Sequence, residues 1–150
     1  MKGVLGYVIL LVALGALDFV WLSLTGETLY RPAMGALELA HVHPVPAVGF
    51  YLIYALGLVV LVVNPAVEAG GPVTGAPVNV RELTWKAAVF GLAAFATYDL
   101  TGMAVIRDWP HMLSYIDMGW GTFAAAVSAN ITVMVLRLLG QVKGVELPPL

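Results

Sequence analysis

The sequence contains no cysteine. That excludes disulfide frameworks, thiolate metal sites and cysteine nucleophiles. Charge is scarce too: seven lysines and arginines and nine aspartates and glutamates, 11% of 150 residues, with a net charge of −2. Soluble domains carry about 25% charged and about 45–50% apolar residues. This chain is 61% hydrophobic, with a mean hydropathy of +0.92, which places it in the membrane class. A weakly acidic chain has no basic stripe for nucleic acid. No G-x-S-x-G elbow surrounds Ser23, Ser114 or Ser128, which argues against a serine hydrolase. There is no P-loop and no dinucleotide fingerprint. The alternating strands of about 10 residues that a transmembrane barrel needs are missing as well.

What is present is four long apolar runs: Val4–Leu24, Pro46–Val63, Leu83–Ile106 and Met112–Leu139. About 20 apolar residues span the hydrocarbon core as a helix, and a helix satisfies its own backbone where lipid offers no partner. The expected fold is therefore all-α, a four-transmembrane-helix bundle forming one integral membrane domain over residues 1–150. Lys2 ahead of an apolar run also suits a signal peptide, but the run is too long for an h-region and no A-x-A-like site follows. Thr25–Val45 reads as a more polar connection in which Pro32 opens a short helix through Ala40. Asn64-Pro65 reads as a stop, and the Gly- and Pro-rich Pro65–Val78 as a flexible cytoplasmic loop. Asn79 with Glu82 has the form of a helix N-cap and its box partner. Arg107–His111 reads as a tight polar turn and Gly140–Leu150 as a frayed tail.

Four spans put both termini on one side. Lys2, Arg81, Lys86, Arg137 and Lys143 fall on that side, and Arg31 and Arg107 on the other. The positive-inside rule then places both termini in the cytoplasm, in a bacterial inner membrane crossed several times.

Three aspartates lie inside apolar runs. An ionised aspartate in hydrocarbon costs at least about 2.5–3.5 kcal/mol on insertion scales, so each should face a partner, a cavity or water. Up-down-up-down threading carries Asp18, Asp99 and Asp117 to the same outer third of the membrane. Tyr51 and Tyr54 enter that layer from the second run. In the fourth run, Asp117, Gly121, Ala124, Ser128 and Thr132 share one helical face, and in the third, Ala87, Gly91, Ala94 and Tyr98 form a small-residue stripe that allows close approach. Asp18 and Trp21 are three apart, as are Asp117 and Trp120. The two D-x-x-W spacings have unlike flanks and do not establish a duplication.

The stretches Leu17-Asp18-x-x-Trp21-Leu22, Phe50-Tyr51-Leu52-x-Tyr54, Ala96-Thr97-Tyr98-Asp99-Leu100-Thr101, Trp109-Pro110 and Asp117-x-x-Trp120-Gly121 together resemble a family of small bacterial membrane proteins. The family is catalogued as domain of unknown function 2177, and the resemblance covers about residues 4–139. It implies a four-helix inner-membrane protein and names no activity, cofactor or substrate. Gly102 stands where asparagine would be expected after Tyr-Asp-Leu-Thr, and Ala36 where histidine is common.

The leading functional expectation is an outward-facing acidic and aromatic pocket that binds a small or lipid-like ligand. Its expected residues are Asp18, Trp21, Tyr51, Tyr54, Tyr98, Asp99, Thr101, Arg107, Asp117 and Trp120, with Arg107 balancing charge. Structural register is the bland alternative for the aspartates, and an interfacial aromatic belt for the tryptophans and tyrosines. Imidazole and carboxylate ligands suit several transition metals; His41, His43 and His111 are the loop candidates, without a ligand-spacing motif. No catalytic group is picked out. Besides the lipid bilayer, packing against partner membrane subunits or a second copy is the alternative, in an accessory or assembly role. A small transporter or proton pathway ranks behind both, because the inner half offers few polar groups beyond Ser128, Asn130 and Thr132.

Overall fold

The computed structural model describes residues 2–37, 41–70, 77–142 and 145–146. Four helical runs, Gly3–Leu37, Pro44–Ala69, Val80–Val105 and His111–Leu138, are long and apolar enough to cross a membrane. They pack as one bundle around a common core.

Helix α1 spans Lys2–Thr25. Gly6, Leu10, Leu14 and Asp18, each four residues apart, form its buried stripe, as the 3.6-residue period requires for one face. Val4, Val12 and Phe19 point away from the bundle. The helix does not stop at Leu24, as the polar composition beyond it had suggested. It widens into a π turn over Gly26–Tyr30, resumes as α2, Arg31–Met34, and ends in a 3-10 turn, Gly35–Leu37. Pro32 sits in the first turn of α2, where its missing N–H costs nothing. The expected extension of this helix to Ala40 lies outside the described residues.

Helix α3, Pro44–Leu58, opens with two prolines in its first turn. The expected stop at Asn64-Pro65 is overturned. The chain passes through a second π turn, Val59–Val63, and continues as α4, Asn64–Ala69. Proline inside a helix removes one hydrogen bond and clashes with the carbonyl four residues back; a widened turn immediately ahead of Pro65 relieves that clash. The expected flexible loop therefore begins only after Ala69, and its residues 71–76 lie outside those described.

Helix α5, Val80–Val105, is capped as the sequence suggested: the Asn79 side chain accepts from the Glu82 backbone N–H at 3.0 Å. Helix α6, His111–Leu138, follows a short turn in which Asp108 adopts a left-handed φ of 59°. The two helices share the tightest seam of the bundle. A Cβ on Gly91 would lie 2.2 Å from the Gly121 carbonyl oxygen and 2.6 Å from Ala125 Cβ, so only glycine lets the backbones come this close. At the end of α6, Gly140 takes φ 69°; its N–H bonds Arg137 O at 2.9 Å and that of Gln141 bonds Leu136 O at 2.9 Å. This is a Schellman cap. The tail, read as frayed, turns back so that Val145 and Glu146 pair in parallel with Val78 and Asn79.

Candidate functional site

Helical spacing puts Asp18 and Trp21 on one face of α1, and Asp117 and Trp120 on one face of α6. The fold turns these faces toward each other. Trp120 Nε1 donates to Asp18 Oδ1 at 2.6 Å. Trp21 Nε1 donates to the Tyr30 hydroxyl oxygen at 3.0 Å, and that hydroxyl donates to Asp117 Oδ1. The two indoles stack with centroids 4.4 Å apart and planes 7° from parallel. The D-x-x-W pairs thus cross: each aspartate is held by the tryptophan of the other helix, directly in one case and through Tyr30 in the other. The Tyr51 hydroxyl from α3 is also directed at Asp18.

These groups line a cavity of about 420 Å³ walled by α1, α3, α5 and α6, with Leu22, Phe50, Ala94, Phe95 and Tyr98 completing it. Asp18 is buried, 6% exposed, and Asp117 is partly buried. Tyr98 stands at the rim, 59% exposed.

Asp99 belongs to a neighbouring cluster. It is 2% exposed and does not line the cavity, although it lies within electrostatic range of Asp117. The Ser114 hydroxyl faces it from the start of α6, and that hydroxyl accepts from Trp109 Nε1 at 2.7 Å. The other Asp99 oxygen, Oδ2, is buried with no partner among the described residues. Trp109 packs edge-on to Tyr98, with centroids 5.3 Å apart and planes at 71°. Its indole also fills the space over Gly102, where an added Cβ would sit 2.6 Å from the ring. That close approach leaves no room for the expected asparagine at 102 unless the indole moves.

Tyr54 is buried beneath the cavity among Phe50, Phe90 and Phe95, and its hydroxyl has no partner among the described residues. Thr101 and Arg107 are exposed and line no part of the cavity. The Thr101 hydroxyl turns back to its own helix, onto the carbonyls of Thr97 and Tyr98. His41, His43 and His111 are exposed, and no three metal-ligating side chains gather among the described residues. Deeper in the bundle, Ser128 and Thr132 bond their own helix, and Asn130 Nδ2 bonds Thr84 Oγ1 at 2.8 Å across the α5–α6 seam.

Tyr30, read from the sequence as an interfacial aromatic with pocket lining as the alternative, lines the cavity. Nine residues of ideal helix make two and a half turns, which would set Tyr30 opposite Trp21. The π turn takes back part of that rotation and brings the phenol round to Asp117. No spacing rule applied to the sequence announces such a turn. Phe50, Phe95 and Ala94 were missed because hydropathy does not distinguish a cavity wall from a lipid-facing surface.

The fold and this layer of polar groups define a multi-pass, four-helix membrane protein. The chain belongs to the family described as "Predicted membrane protein (DUF2177)", which matches residues 3–134. No curated protein and no solved structure matches it.

Proposed function

We propose that the chain is a membrane-embedded binding protein. The cavity between α1, α3, α5 and α6 takes a small or lipid-like ligand from the outer face of a bacterial inner membrane, and both chain ends lie in the cytoplasm. The observation that carries this reading is the crossed pairing of two D-x-x-W motifs around open space rather than around a packed seam. Register alone needs one polar contact between helices, worth about 0.6 kcal/mol on average. It gives no reason to keep carboxylates on the wall of a cavity whose volume falls within the roughly 300–1,000 Å³ typical of ligand sites. The five-to-two distribution of basic residues supports the orientation.

The cysteine-free chain makes the test clean, since an engineered thiol is the sole one. Ala94→Cys, on the cavity wall, is expected to react with a membrane-impermeant methanethiosulfonate added outside intact spheroplasts. Pro77→Cys, at the opposite end, is expected to react only after permeabilisation. N-phenyl-1-naphthylamine should show saturable energy transfer from tryptophan in nanodiscs, and Ala94→Phe should remove that component by filling the space. An unreactive Ala94→Cys, or transfer that never saturates, overturns the reading.

A further inference from the structure

Resting on that binding reading, we infer that the ligand presents an ammonium group, with the cavity holding an organic cation against aromatic walls. Two carboxylates, Asp18 and Asp117, face the space, and no lysine, arginine or histidine is among the described residues that line it. Each carboxylate commits Oδ1 to one protein donor. The Tyr51 hydroxyl also approaches Asp18, and both carboxylates remain on the cavity wall. Most of the rest of the wall is aromatic, Trp21, Tyr30, Tyr51, Tyr98 and Trp120 among them, with Leu22 and Ala94 as its aliphatic part. Ring faces attract cations, most strongly where water is excluded, and carboxylate-flanked aromatic cages are a general solution for quaternary ammonium groups.

The rival ligand chemistries fit less well. A phosphate or carboxylate would meet two like charges and no basic side chain. An uncharged ligand gains nothing from the charge of the two carboxylates. A hard inorganic cation takes six or more oxygen ligands, whereas no group of three acidic or imidazole side chains forms among the described residues. An ammonium needs only one or two carboxylates and apolar surface for its substituents. Its source is either the headgroup of a lipid or a soluble amine, and both offer the same chemistry.

The test uses the full chain in dodecyl maltoside micelles, which are uncharged, and follows tryptophan emission and the unfolding midpoint. Choline is titrated against its neutral isostere 3,3-dimethylbutan-1-ol, and dihexanoyl phosphatidylethanolamine against dihexanoyl phosphatidylglycerol. At least one ammonium compound is expected to bind about tenfold or more tighter than its ammonium-free counterpart. Asp117→Asn, which keeps an acceptor for Tyr30 and removes one of the two charges, should cut that preference several-fold. Preference confined to the lipid pair assigns a headgroup; preference confined to choline assigns a solute. Equal binding within both pairs while N-phenyl-1-naphthylamine still binds ends the ammonium assignment and leaves the cavity reading standing. No binding by any of the probes removes both. Should Asp117→Asn fail to fold, the paired comparison on the wild-type chain decides alone.

Discussion

Replacing Trp120 with phenylalanine keeps a ring against Trp21 and deletes the N–H that reaches Asp18. Hydrogen bonds to charged groups contribute about 1.5–3 kcal/mol in water-soluble proteins. Polar contacts between membrane helices contribute less, about 0.6 kcal/mol on average and about 1.7 at most, because separated helices still find partners in the bilayer. Two features place this bond in the upper part of the membrane range: the 2.6 Å separation and the 6% exposure of Asp18. One feature holds it down, since the Tyr51 hydroxyl also reaches the carboxylate and would remain. The expected pairwise coupling is therefore about 1 kcal/mol. A double-mutant cycle isolates it from the change in ring stacking, which cancels. Asp18→Leu is the second arm, because asparagine would retain an acceptor. Unfolding in mixed dodecyl maltoside and dodecyl sulfate micelles, followed by far-ultraviolet circular dichroism, provides the free energies. Additive losses, with a coupling within about 0.3 kcal/mol of zero, would refute the claim that this bond ties α1 to α6.

Gly91→Ala drives a Cβ to 2.2 Å from the Gly121 carbonyl and should destabilise by about 1–3 kcal/mol or more. Gly119→Ala meets nothing within 4 Å and serves as the control; equal unfolding midpoints for the two would contradict the close seam. Gly102→Asn should push the Trp109 indole off Ser114 and shift tryptophan emission to the red, and an unchanged spectrum would show that the ring does not occupy that space.

The number of spans and their class were legible because about 20 apolar residues in a row have one physical use. The inward faces were legible only where small residues marked them, at Gly91, Gly121 and Ala124. Elsewhere a helix in lipid is apolar all round, so Leu10 in the core and Val12 facing out look alike in hydropathy. The two expected helix ends that proved wrong share one cause. Gly26 and Pro65 are breakers in water, yet in each place the chain widens into a π turn and carries on. Each widened turn keeps the backbone hydrogen-bonded past a residue that would otherwise break the ladder.

The same reasoning separates the three aspartates, which the sequence presents as equivalent. Asp99 faces Ser114, itself held by Trp109, and Trp109 in turn fills the space over Gly102. That chain of contacts ties Asp99 to the α5–α6 turn, off the cavity wall. Asp18 and Asp117 differ, because their partners come from facing helices and leave the pair on the wall of an open space. Spacing could show that two D-x-x-W motifs existed. It could not show that each tryptophan serves the other motif's aspartate, because that depends on α1 and α6 lying side by side and on a π turn that swings Tyr30 into the gap. The plain helical period therefore sets both aspartates and both indoles on the cavity wall, and the distortion adds the phenol that joins them.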